Sequence, residues 1–193
     1  MDELRGEYES ARSRHLESLA IAKRLVEMEP DRPDFMRALV STMSTIASDQ
    51  CNVPFSSAPL ETLLSVEPLL RRFVDMERED HDRQRNLAEF YESLADAHLS
   101  VSDYDAAERT ILEAWKVLEE TGADAPDHPD QLRLEVLAAT RLALFAHRRD
   151  DVPRREEFSA KAIERTEKLL QQKSSDPAPV LNMAMFWLAC DVP

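Results

Sequence analysis

The sequence predicts an all-α fold made of antiparallel helix pairs. Three observations predict it. Only two glycines occur in 193 residues, and both β-rich folds and phosphate-cradling loops need glycine for positive φ. Long helices rich in Ala, Leu, Glu and Arg need very little of it. Apolar residues recur with helical spacing in segment after segment, and no segment reads as a credible strand. Finally, the helical pattern repeats along the chain.

The elements follow in order. "DELRGEYESARSRHLESLAIAKRLVEM" is one long helix or two abutting ones. "EPDRPD" stops it, because a proline disfavours the α region in the residue before it. "FMRALVSTMSTIASD" is the second helix, and "QCNVPFSSAP" is a loop with two prolines. "LETLLSVEPLLRRFVDMERE" follows, with Pro68 either near its start or kinking it. "DRQRNLAEFYESLADAHLS" and "SDYDAAERTILEAWKVLEE" form a tight pair, and "TGADAPDHPD" is a connector. "QLRLEVLAATRLALFAHRR", "PRREEFSAKAIERTEKLLQQK" and "PAPVLNMAMFWLAC" bring the total to about eight helices.

The repeat is visible in "KRLVEMEPD" (23–31) and "RRFVDMERE" (71–79), an offset of 48. At that offset Leu39 falls on Leu87, Met43 on Tyr91, Ile46 on Leu94 and Ala47 on Ala95. A third copy is read 50 residues further on, at Leu137, Leu144 and Phe145. Such a pair of helices cannot bury its apolar face alone, so stacked neighbours make the core. The chain is expected to be one domain, residues 1–193, with approximate units 1–31, 32–79, 80–125, 126–175 and 176–193.

Residues 88–121 carry Tyr91, Leu94-Ala95 and His98 on one helix, the turn "SDYDAA", and Tyr104, Ala107, Ile111 and Ala114 on the next. This pattern resembles a tetratricopeptide repeat (TPR). The small residues let two helices approach closely, and Tyr104 is expected to plug the corner between them. The period exceeds that of the standard repeat. Longer repeats of this kind are similar to those attached to some bacterial protein kinases. They also resemble kinesin light chains, whose long helices are joined by connectors like "PDHPD" at 126–130. The resemblance implies a right-handed α-solenoid. It also implies a protein-binding scaffold or adaptor, with a regulatory docking role in one case and a cytoskeletal or cargo role in the other.

TPR arrays line a concave face with the first helix of each pair. Carried over to this sequence, that face is Ser41, Ser44 and Ser48, then Glu89, Glu92 and Asp96, then Ala139, Leu142 and Ala146. Family members that capture a C-terminal carboxylate use Lys, Arg and Asn at such places, and those types are missing from this set. The face as read is small and polar, then acidic, then apolar, and suits a basic or amphipathic segment of a partner protein. The alternative is that Glu92 and Asp96 are a solvated helix face with no partner.

Composition narrows the remaining functions. A net charge of −14 argues against nucleic acid, whose binding rests on Lys and Arg neutralising phosphates. It disfavours an anionic membrane surface on the same ground. Cys51 and Cys190 make no disulfide framework, the start "MDELRGEYES" has no apolar leader core, and no apolar run is long enough for a bilayer span. A cytoplasmic setting is expected.

The histidines His15, His81, His98, His128 and His147 form neither Glu-x-x-His nor His-Glu-x-x-His. His98 reads as a packed residue, His81 as a helix-start residue, and His128 lies in an acidic loop that matches no EF-hand spacing. No carboxylate pair stands out as a general acid and base. No catalytic residue, cofactor or metal site is expected.

The basic runs "RRDDVPRR" (148–155) and "LLRRF" (69–73) read as surface charges with aliphatic stems over the core. From Val180 to Cys190 only Asn182 is polar, and a helix apolar all round is buried. Three readings stand for it: capping by the preceding repeats, continuation of the natural chain, or contact with another subunit, partner or membrane surface. In the last, Phe186 and Trp187 are the anchors. The second functional reading is therefore an oligomerising or regulatory module that uses its terminal helices.

Overall fold

The computed structural model describes residues 2–51, 58–76, 80–122 and 128–172. Among them are seven α-helices and no strand: α1 (Asp2–Met28), α2 (Pro33–Cys51), α3 (Ala58–Met76), α4 (His81–Ser100), α5 (Tyr104–Gly122), α6 (Pro129–Arg148) and α7 (Val152–Gln171). α1 is one continuous helix. The eighth expected helix lies outside the described residues, as do Phe186 and Trp187. Pro68 sits inside α3 and not at its start. Pro68 and Leu64 are both exposed, so the carbonyl that the proline leaves without a donor lies on the wet side of the helix.

The chain divides into two compact units. The first comprises the described residues up to Arg83 together with Asp96–Asp103. In it α1 packs on α2 and α2 on α3. Met36, Leu39, Met43, Leu63, Val66, Leu70 and Phe73 form its apolar interior. Arg83 is buried there at the start of α4, 4.3 Å above the Phe73 ring, with Asp80 at 3.0 Å. Asp80 caps α4 by accepting from the backbone of Asp82 and Arg83, a device worth about 1 kcal/mol. Arg72 of α3 reaches Asp31 at 2.8 Å.

The second unit comprises Gln84–Ala95 and the described residues from Tyr104 onward. α6 packs on α5 and on α7. Ala88, Ala95, Ala107, Ala114, Ala139 and Ala143 are completely buried, which lets the backbones approach closely. Tight packing of α6 side chains explains one of the two glycines. A Cβ on Gly122 would sit 2.8 Å from Glu135 Oε1 and 3.3 Å from Gln131 Nε2. Gln131 is itself fully buried and donates to the Leu118 carbonyl at 2.7 Å and to Glu135 at 2.8 Å.

The turns after α4 and after α6 are copies of each other at an offset of 48 residues. Val101 and Arg149 donate back to the helix end. Ser102 (φ 63°) and Asp150 (φ 55°) take the left-handed conformation. Asp103 and Asp151 close the turn by donating at 2.9 Å to the carbonyls of His98 and Ala146. This is how a helix satisfies its last carbonyls, with a short polar residue in place of glycine.

Equivalent helices of the second unit are also tied side by side. Glu108 of α5 is buried and takes Arg149 at 2.8 Å and Arg154 at 2.6 Å. Trp115 meets Phe158 edge to face at 5.6 Å, and Lys161 lies 5.0 Å from each ring and 3.7 Å from Glu119. Glu135 of α6 pairs with Arg165 of α7. Residue numbers rise together along the α5–α7 contact, so these two helices run parallel. The fold is helical and repeat-like.

Candidate functional site

The face to locate is the open side of the helices that come first in each pair. On α4 the exposed positions are Asp82, Asn86, Glu89, Ser93 and Asp96, one stripe at helical spacing. Of these, Asn86, Glu89 and Ser93 belong to the second unit. On α6, whose other sides are almost wholly buried, the stripe that stays accessible is Arg133, Leu137, Arg141, Leu144 and Arg148. Arg133 pairs with Glu89, and Arg141 pairs with Glu92 at 3.0 Å while also donating to the Glu92 carbonyl oxygen at 3.3 Å. These contacts join α4 to α6 across separations of 44 and 49 residues.

Several expected site residues are placed elsewhere. Glu92 is 7% exposed and held against Arg141, so it belongs to the wall between α4 and α6; Ser93 takes the open position beside it. Ala139, Leu142 and Ala146 are at most 1% exposed and form part of the core. For the three α6 residues the reason is one of register. An offset of 50 for the third copy selects Ala139, Leu142 and Ala146, whereas the turns and helix starts repeat at 48. A slip of two residues turns a helix by about 200°, which exchanges the open face for the buried one. At the offset of 48, Glu89, Ser93 and Asp96 fall on Leu137, Arg141 and Leu144, all accessible.

Glu89 and Asp96 are exposed as expected, Asp96 in the first unit and Glu89 in the second. Ser41 of α2 is exposed, and the side chains of Ser44 and Ser48 lie outside the described set. The hydroxyls along these stripes bond back to their own helix: Thr42 to the Ala38 carbonyl at 2.8 Å, Thr45 to Ser41 at 3.0 Å, and Ser93 to Glu89 at 3.2 Å. Such bonds satisfy the hydroxyl locally.

The electrostatics differ from the expected acidic centre. Glu89 and Glu92 are each answered by an arginine, so the α4–α6 face in the second unit is balanced, with Leu137 and Leu144 between the arginines. Tyr104, expected as a corner plug, is 38% exposed and carries the Arg148 guanidinium 3.5 Å from its ring centroid. The run 148–155 is more than surface charge. Arg149 and Arg154 both reach the buried Glu108, and Arg155 lies 3.5 Å from His147 Nδ1.

His128 occupies the N-cap position of α6, exposed and without a side-chain capping bond, and His81 begins α4. Among the described residues no group of three or more His, Cys, Asp or Glu side chains is placed to hold a metal ion. No described helix is long and apolar enough to cross a membrane. A hydrogen bond from Lys168, reinforced by the Arg165 charge, holds the Glu164 carboxyl below its ordinary value.

Comparison of the chain with protein-family models, with curated proteins and with solved structures gives no match.

Proposed function

We propose that this chain is a non-catalytic protein-interaction scaffold, a TPR-like right-handed solenoid that binds a partner protein along the first helices of its repeats. The observation that carries this reading is the α6 stripe. Arg133, Leu137, Arg141 and Leu144 stay accessible on a helix that is otherwise buried, next to Glu89 and Ser93 of α4. Such a stripe offers apolar anchors between fixed polar groups, on a rigid support. Because the local charges are paired, the partner segment that suits it is amphipathic; a purely basic one would meet Arg133 and Arg141. The scaffold works in the cytoplasm without a cofactor or nucleic acid. Its adaptor role is of the kinase-linked or cytoskeletal kind that the repeat resemblance implies.

The test is a pull-down from lysate with three baits of equal helicity: wild type, Leu137→Asp/Leu144→Asp, and Glu120→Lys on the exposed side of α5. A partner lost by the double variant and kept by Glu120→Lys supports the α4–α6 face. A partner kept by all three places binding elsewhere and sinks this reading.

A further inference from the structure

The internal stacking of α7 on α5 leaves a second surface, separate from the α4–α6 face. The α5 positions that receive α7 include Glu108, Trp115 and Glu119. Moved by the 48-residue period, they become Glu156, Ile163 and Glu167 of α7. These fall on one outer stripe: Val152, Glu156, Ala160, Ile163, Glu167 and Leu170. Val152 is 44% exposed and Leu170 57%, Ile163 is half-buried, and Glu156, Ala160 and Glu167 are exposed. The stripe thus repeats the acidic and apolar character of the α5 surface, in an uncovered state.

The chemistry that covers it is shown by the internal interface, where α7 brings a basic and apolar edge: Arg154, Phe158 and Lys161. Another edge of that kind lies on α1. The most exposed large apolar side chains of the described residues are Met28 at 67% and Ile21 at 62%, both on α1, followed by Leu170 of α7. Arg24, also exposed, stands between Ile21 and Met28. On α7, Glu167 stands between Ile163 and Leu170. The two apolar pairs have the same seven-residue spacing, about 10.5 Å along a helix. One pair brackets a cation and the other an anion. Set parallel, as α5 and α7 are, Ile21 meets Ile163, Arg24 meets Glu167 and Met28 meets Leu170.

We propose that the outer stripe of α7 docks α1 of a second copy, in the same parallel sense in which α7 lies along α5. The contact is heterologous, because the two surfaces differ.

Sedimentation velocity over a concentration series tests it, with far-UV circular dichroism confirming equal helicity. Wild-type mass should rise with concentration. Arg24→Glu or Glu167→Arg alone should weaken association about tenfold or more, since a like-charge pair replaces an opposite one. Arg24→Glu combined with Glu167→Arg should restore it. Ile21→Asn, which carries no charge change, should weaken it as well. A wild type that stays monomeric at its highest soluble concentration overturns the proposal. So does association that is indifferent to the single changes, or a double swap that fails to rescue. None of these variants touches the α4–α6 face, so partner capture by the same proteins reports on that face independently.

Discussion

Gly122→Ala sets two effects of opposite sign against each other. Alanine favours a helix over glycine by about 0.5–1 kcal/mol. That gain is at its smallest here, because Gly122 is the last residue of α5. Against it stands the new Cβ, 2.8 Å from Glu135 Oε1. A carboxylate can usually swing away from such a contact, but this one is 5% exposed and tied to both Gln131 and Arg165. Moving it frees a buried amide N–H of Gln131, at about 1–3 kcal/mol. The packing term wins, and Gly122→Ala should destabilise by about 1 kcal/mol, a fall in Tm of about 2–4 °C for a chain of this size. The assay is urea unfolding followed by far-UV circular dichroism, on the wild type, Gly122→Ala, Glu135→Ala and the double variant. With the carboxylate already removed, the added methyl should be neutral or stabilising, so the cycle should show coupling of about 1 kcal/mol. A Gly122→Ala protein more stable than wild type, or strictly additive changes, would refute the claim that close α5–α6 approach requires this glycine.

Glu108→Gln removes the charge shared by Arg149 and Arg154. Arg149 is about half exposed and rehydrates cheaply, while Arg154 at 29% does so less well. The expected loss is therefore about 1–2 kcal/mol, below the full cost of breaking a buried pair, and a midpoint shift under about 0.3 kcal/mol would contradict it. Glu164 gives the pH dependence. Its folded pKa is depressed, first by the hydrogen bond from Lys168 and then by Arg165, so its small stabilising effect is present above the unfolded carboxylate value and fades as pH falls through the folded one. In a carboxyl-resolved NMR titration its midpoint should rise in Lys168→Ala; an unchanged midpoint counts against the assigned cause.

The helices themselves were legible in the sequence. Spacing and punctuation placed α2 to α7 within a few residues, because caps, prolines and turn residues act locally. α4 shows how far that reaches: its apolar positions predicted the buried Leu87, Tyr91 and Leu94, and Glu89 and Asp96 on its open stripe. Glu92, next to Tyr91, is not marked by its own segment, because its burial depends on Arg141 arriving from another helix.

The sequence by itself determined an all-helical chain, a repeat near 48 residues, and polar turns able to reverse it. Tertiary structure alone decided which polar residues go inside. Glu92, Glu108, Glu135 and Gln131 are buried, although nothing in their own segments marks them for it. A charge enters a core only where a counter-charge and hydrogen-bond donors meet it. Here most of those donors come from arginines some 30 to 49 residues away in the chain. The same holds for the open face. Helical periodicity says that α6 has one accessible stripe, but its phase is set by how α4, α5 and α7 pack around it, and two residues of register separate Leu137 and Leu144 from the buried Ala139 and Ala146.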